Sequence, residues 1–425
     1  MKPLLPLLLC AAGCTAHAAP AGPPAAAESA PARYLYVWAG DADEKHQDFL
    51  AVVDVQPGSA TYAQVIATEP VGLTGSMPHH LEYELPSSDR LLFANAHHHE
   101  QLLLFDIRQA ERPRLARTLP PPAPLRYPHD FFRLPNGNVL VGYLRSEGPS
   151  PEPGDTTLPG GHGGIAELDP EGRPLRTSSA ADPAWTIPIR PYAFAVLPES
   201  DRVVTTSAGM MEHSSADVVQ VWRLSDLALL HTLAVPPALQ SGGGVLQKGH
   251  ELPFEPRVMP DGSVLLNAFG CGLYHLTDVG TDAPRLQNVY TVEVTGVPAD
   301  RRAGCGIPVV VGPYWVMPVG RMNMLVTLDV RDPARPVEVS RLVADTLFQP
   351  HWLARDPGSH RVIVGAETRG EERMLMARVD PATGRLSWDE SFRSPDGSLG
   401  VSFRRERWPH GDTGEAFGHA ALFRP

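Results

Sequence analysis

Histidine follows proline at the start of three strand-like runs in this chain, in Pro78-His79-His80, Pro128-His129-Asp130 and Pro350-His351-Trp352. A neutral imidazole offers a lone pair to a metal ion, and it can move a proton near physiological pH. Three imidazoles converging on one point suit copper, iron or zinc. His80, His129 and His351 are the candidate metal ligands, each read at the start of a strand and at the same repeat position. His79 is placed to complete or orient that shell. Glu255, in Pro253-Phe254-Glu255, falls one residue past the matching position and is a candidate fourth ligand, orienting group or general base. One such histidine alone would more simply hydrogen-bond the backbone of a neighbouring unit; three at one repeat position favour the metal.

The elements that must carry these residues are strands. Helical periodicity is nearly absent, and short β-rich runs alternate with turns carrying Pro, Asn, Asp or Gly. The segment from Pro128 to Gly142 aligns with the segment from Pro350 to Gly365, from Pro-His through to Val-Gly, with one extra residue in the second turn. Looser copies start at Pro78, Pro191, Pro253 and Pro308. Four strands per unit, repeated at a variable period, is the pattern of propeller blades. Six starts are visible, while the N-terminal runs Tyr34 to Trp38, Phe49 to Val55 and Tyr62 to Thr68 have none. The run from Val401 to Trp408 is expected to supply their missing inner strand. The expectation is therefore an all-β, seven-bladed β-propeller whose N- and C-terminal strands pair and leave no open edge.

With the strands of each blade lettered a to d outward from the axis, the d-to-a and b-to-c connections share one face. His250 and Cys305 fall in d-to-a connections, and His46, His97, His98, His99, His162, His213 and Cys271 fall in b-to-c loops. Eleven of the 17 histidines then gather on one face, as a metal site or its mouth would require. The run His97-His98-His99-Glu100 could equally scavenge metal or solvate that face. His162, among glycines, reads as readily as part of a lid. Met322 and Met324 could offer thioethers to Cu(I), although packing is the commoner use of methionine.

The ends and the charge set the context. Lys2, the apolar run Leu4 to Ala12 and Ala16-His17-Ala18 make residues 1–18 a cleavable export signal, with a lipid anchor at Cys14 as the alternative. Residues 19–32 are an Ala/Pro-rich spacer, and 33–425 form one propeller domain. The expected address is the periplasm or the exterior. The net charge is −12, or −13 once Lys2 leaves, and without basic clusters this argues against nucleic acid or anionic membrane as partner. Cys271 and Cys305 remain after cleavage and could form a disulfide, stay as thiols or bind a soft metal.

Several segments together resemble the selenium-binding protein family, whose bacterial members include methanethiol oxidases. Phe49 to Val55 with Tyr62 to Ile66 is similar to that family's "YLATVDV…YCQVI" opening. The likeness continues at His79-His80, at the His129 strand, and at Gly163 to Asp169. It extends through Glu255 and Arg257 and through Gly270-Cys271 to Leu328 to Pro333 and Arg407 to Asp412. It is collinear from about residue 49 to 412. The resemblance implies a seven-bladed propeller, exported in bacteria, using a metal, copper foremost, to oxidise a small thiol. Methanethiol, dioxygen and water would give formaldehyde, hydrogen sulfide and hydrogen peroxide. The chain departs from the family at Arg404-Arg405, where a His-Glu is usual, at Val309 and Val310, where an acid is usual, and at His351.

Three functions follow. A copper oxidoreductase would use His80, His129 and His351 as ligands, with His79 or Glu255 completing or orienting the shell and a carboxylate or imidazole moving the thiol's proton. A non-enzymatic metal carrier or interaction propeller would use the histidine-rich face to dock a protein partner. A lactonase-type hydrolase would need Glu, Asn and Asp around a hard cation, where this repeat offers histidine.

Overall fold

The inner runs become strands buried on both faces because neighbouring blades stack on either side of them. In blade 3 the strands Arg202–Ser207 and Val218–Arg223 are almost wholly buried, while the outer strand Leu229–Ala234 is partly exposed throughout. The computed structural model describes residues 30–86, 90–147, 161–210, 214–241, 243–344, 348–367 and 372–425. The proposed export signal and His213 lie outside them. Among the described residues no helix is long and apolar enough to cross a membrane.

Seven antiparallel sheets form the ring of a seven-bladed β-propeller. The a strands of blades 1 to 6 are Pro78–Leu81, Leu125–Arg133, Pro191–Leu197, Pro253–Val258, Val309–Val311 and Pro350–Arg355. Blade 7 closes the ring by pairing the C-terminal strand Gly414–Arg424 with Tyr34–Asp41, which continues to Phe49–Asp54 and Gln64–Pro70. This corrects the expected closing strand. Within Val401 to Trp408, Val401–Ser402 instead pairs with Arg373–Val379 of blade 6, and Arg404–Arg405 pairs with the start of the closing strand. The true closer is apolar along Ala420 to Phe423 and carries Gly418 where a side chain would strike Val37 and Met374.

A buried ion pair fastens blade 7 to blade 6. Asp356 and Arg361 are 0% and 1% exposed and meet at 2.7 Å. Asp356 also accepts the Ala32 backbone N–H, at 3.1 Å and 3.2 Å to its two oxygens. Arg361 donates to Val55 O and Ala32 O at 2.6 Å and 3.0 Å. Every charge is thus matched, and the N-terminal end of the ring is held by side chains that sit 306 to 329 residues away in sequence. Asp356→Ala leaves the guanidinium buried without its partner, and we expect a loss of about 3–5 kcal/mol, read as a lower urea midpoint. An unchanged midpoint would show that the pair does not fasten the ring.

Candidate metal centre

The site grows out of a repeated kink. Residues Met77, Tyr127, Leu252 and Gln349 each stand in the left-handed region, with φ between 48° and 59°, immediately before Pro78, Pro128, Pro253 and Pro350. After each of these prolines, and after Pro191, the pairing with the b strand slips through a bulge. Bulges re-aim side chains, and here they turn the residue after the proline toward the axis. That residue is His79, His129, Tyr192, Phe254 and His351 in blades 1, 2, 3, 4 and 6. Blade 7 has no proline at this place but bulges at His419, between the pairs Trp38–Ala420 and Ala39–Gly418.

Blade 5 contributes Gly306. Asn95 on the b strand of blade 1 donates to Pro128 O and His129 O, and Asn267 on the b strand of blade 4 donates to Cys305 O and Gly306 O. The same two consecutive carbonyls are held one blade onward in each case. A Cβ on Gly306 would stand 2.9 Å from His351 Nδ1 and closer still to its carbonyl oxygen, so only glycine fits. The disulfide between Cys271 and Cys305, both fully buried, ties this segment to the b-to-c loop of blade 4 and resolves the three options left open for the pair.

The seven positions form a ring of side chains. Centroid separations run 4.9 Å from His79 to His129, 4.0 Å to Tyr192, 4.3 Å to Phe254, then 6.0 Å across the glycine gap to His351. The circuit closes at 5.2 Å to His419 and 4.5 Å back to His79. The bulge register makes His79, and not His80, the counterpart of His129 and His351, which corrects the reading of His80 as their repeat mate. His80 takes the next position, shared with Asp130 and Glu255, and its ring sits 4.7 Å from His79 and 4.1 Å from His129.

Among the described residues, His79, His80 and His129 are the one set whose ligand atoms all lie within 4.8 Å of one another. Their Nε2 atoms are buried and have no hydrogen-bond partner. The tautomer of His129 is fixed from behind, because its Nδ1 lies 2.8 Å from Tyr192 O and must carry the proton. Nε2 is then a bare lone pair. His419 makes the equivalent bond, Nδ1 to His79 O at 2.8 Å. The backbone bonds of these axial histidines are therefore part of the site's construction and leave Nε2 of His129 free.

Burial foremost, then the neighbouring imidazoles, holds His79, His80 and His129 well below the ordinary histidine pKa. All three are neutral at pH 7. A buried polar atom left unpaired costs about 1–3 kcal/mol, a cost that a cation shared by the three atoms would offset. Neutral imidazole is the ligand form that copper, zinc and iron take.

The other expected residues fall as follows. His351 is buried and lines the cavity beside the ring, joined to the trio through His419. Glu255 is fully buried beneath the trio, accepts from Tyr83 OH at 2.9 Å, pairs with Arg257 at 2.9 Å, and reaches His80 only through Tyr83. His97 is buried, 5.9 Å from His79 by ring centroid, while His98 and His99 are exposed and contact the carbonyls of Gly75 and Thr74. His162 Nδ1 accepts the Ile189 N–H. Met324 is core and Met322 packs against it. The sequence reading missed His419, whose strand lacks the proline start, and Asp130, which stands 3.4 Å from His80 Nδ1. Burial and the nearby Glu255 push the Asp130 carboxyl well up.

Beside the ring lies a cavity of about 80 Å3, whose lining includes His79, His351, His419 and Glu367 together with apolar groups such as Leu252, Phe254 and Phe269. Drug-sized pockets begin near roughly 300 Å3, so this one takes a molecule of a few heavy atoms.

No protein-family model matches the chain, and no curated protein matches it by sequence. Solved structures do. A hypothetical selenium-binding protein from Sulfolobus tokodaii superposes with a TM-score of 0.70 at 16% identity, over 93% of this chain and 94% of that one. A periplasmic gluconolactonase from Pseudomonas aeruginosa gives 0.58 at 16%, over 83% and 94%. A putative 6-phosphogluconolactonase from Bacteroides uniformis gives 0.55 at 13%, over 84% and 96%. At these identities the likeness is one of fold.

The buried imidazoles make the metal-free protein sensitive to acid. Burial lowers His351 to about 4, and burial with His351 beside it lowers His419 to about 3, against 6.5 for an open chain. The unfolded chain therefore binds protons that the folded one refuses, and stability falls as pH drops from 6.5 toward those values. We expect the urea midpoint of the metal-free protein to fall steeply across that window, and less steeply in His351→Gln. Parallel curves for the two proteins would refute this.

Proposed function

We propose that this chain binds one copper ion on His79, His80 and His129 and oxidises a small thiol outside the cytoplasm. The observation that carries the reading is the set of three buried, unpartnered Nε2 atoms within 4.8 Å of one another. The affinity order for divalent ions at nitrogen sites puts copper ahead of zinc and iron, and zinc has no redox chemistry to offer. The disulfide supports an oxidising compartment, in keeping with the export signal read from the first residues.

Bound copper would lower the pKa of a thiol and exchange single electrons. The residues of the chain do the rest. His79 belongs both to the trio and to the cavity wall, so a small molecule in the cavity lies against the site. Phe254, Phe269 and Leu252 hold an alkyl group and keep water out. Besides His79, the imidazoles of His351 and His419 and the Glu367 carboxyl stand in the wall, and of these His351 and Glu367 are the groups we assign to take the thiol's proton. His351 thus enters the proposal as a cavity residue in place of a ligand. Glu255 and Arg257 form a matched pair under the site and support it through Tyr83. A sugar lactone is poorly served here: it needs oxygen ligands around a hard cation and a larger pocket than about 80 Å3.

The test is elemental mass spectrometry on the purified chain without a histidine tag, beside a His79→Ala/His80→Ala/His129→Ala variant. Near-stoichiometric copper in the parent, absent from a still-folded variant, with methanethiol turnover by the parent, is the expected result. An absence of metal after reconstitution with copper, iron and zinc overturns the reading. Copper retained without turnover of any thiol makes the chain a metal carrier instead. A second prediction concerns size. Phe254→Ala enlarges the apolar wall, and we expect kcat/KM for propanethiol relative to methanethiol to rise by about tenfold or more; an unchanged ratio would remove Phe254 from the substrate pocket.

A further inference from the structure

We infer that His97, His98 and His99 form an entry path along which a metal ion passes from the surface to the buried trio; this rests on the trio proposed above as the metal site. His79, His80 and His129 are 4%, 0% and 0% exposed, so an ion does not reach them straight from water. The three histidines of the blade 1 loop bridge that gap. His98 and His99 are exposed, while His97 is buried. By ring centroid His98 stands 6.0 Å from His97, and His97 stands 5.9 Å from His79 and 6.4 Å from His129. A bond of about 2 Å from an ion to each of two nitrogens, added to the reach of each ring from its centre to its nitrogen, covers such a span. Successive rings can therefore share the ion during its passage.

The turn holds these rings ready. His98 Nδ1 lies 3.2 Å from Gly75 O, and His99 Nε2 lies 3.1 Å from Thr74 O. A carbonyl only accepts, so in each neutral ring that nitrogen carries the proton and the other offers its lone pair. The His98 backbone N–H donates to Ser76 O at 3.0 Å, and Glu100 pairs with Arg126, which pins the turn itself. Nothing in the turn's geometry asks for histidine. Blade 5 makes the same single 3-10 turn between its b and c strands with Gly320, Arg321 and Met322, closed by Asn323 at φ 53° as Glu100 closes this one at φ 53°. The cavity is a poorer way in for a hydrated ion, because Leu252, Phe254 and Phe269 stand in its wall.

The test is the rate of loading. Cu(II) supplied as its nitrilotriacetate chelate is mixed with the metal-free full chain. Quenching of Trp352, whose ring lies 5.0 Å from that of His80, reports its arrival, and the trio variant gives the background. Capture by the exposed pair makes the next transfer intramolecular, so we expect loading to slow by about tenfold or more in His97→Phe and in His98→Gln/His99→Gln. The equilibrium dissociation constant stays at the parental value, because none of the three holds the ion at its destination. A residue that mattered only for packing would move the affinity or the urea midpoint instead. The double variant changes only exposed side chains, and it decides the matter if His97→Phe does not fold. Parental loading rates in the folded variants overturn the inference and leave the trio standing. A loss of affinity in place of rate also overturns it, since these residues would then be ligands of the site. A parent that takes up no copper overturns the trio and the path together.

Discussion

Seven inner strands converge on one axis, and the space where they meet admits only a few large side chains. The rest of the structure answers to that crowding. Each blade must decide what it sends to the axis, and the decision is made by a bulge at the start of its inner strand. Four blades send imidazole, one a phenol, one a phenyl ring, and one sends only the Cα of Gly306 because His351 already fills the place a Cβ would need. Asn95 and Asn267 then lock the chosen backbone positions from the adjacent blade. The site is thus held by b strands in the rigid body of the propeller, and loops contribute little to it. That is the condition for a constellation accurate enough to bind an ion.

The electrostatics follow from the same crowding. Water is excluded, so protonated imidazoles would repel one another without screening, and all of them are driven neutral. Neutral imidazoles with buried lone pairs are unsatisfied hydrogen-bond acceptors, and Nε2 of His79, His80 and His129 finds no donor. Beneath them the chain buries two acids, Asp130 and Glu255, with one cation, Arg257, committed to Glu255. Asp130, beside His80, has no cation of its own, and burial with Glu255 nearby favours its neutral form. A cation at the trio would take up the lone pairs and would make the ionised carboxylate easier to bury.

Much of this was legible in the sequence, and the misreadings share a cause. The Pro-His starts, the four-strand units and the blade count came from period-2 patterning and turn residues, which the pleat enforces at every blade. Which histidine faces the axis was harder, because side chains alternate only while the ladder is regular, and a bulge inserts one residue and reverses the parity. The inserted residue lies at the position in question, so His80 was aligned where His79 belongs. The closing strand was misplaced for a related reason. Gly414–Arg424 bulges at His419 without a proline to announce it, and the chain before it carries two short pairings that resemble strand text. The partner of His80 Nδ1 could not be read at all, since it depends on two blades meeting in space.

The structural neighbours sharpen the point that chemistry resides in the ring and not in the fold. A propeller resembling both a selenium-binding protein and lactonases can serve either kind of chemistry, because the axial positions are supplied blade by blade and are independent of the ladders that hold them. In this chain the supply is lopsided. Blades 6, 7, 1 and 2 give four adjacent imidazoles, and blades 3, 4 and 5 give Tyr192, Phe254 and a glycine gap. A ring divided this way offers nitrogen ligands on one half and an apolar surface on the other, with a cavity of about 80 Å3 lined by both. A ligand that uses both halves needs a soft, metal-seeking atom bonded directly to a small hydrocarbon group. The small thiol we propose as substrate would meet that requirement, whereas a polyhydroxylated lactone would leave its hydroxyls facing Phe254 and Phe269 without partners.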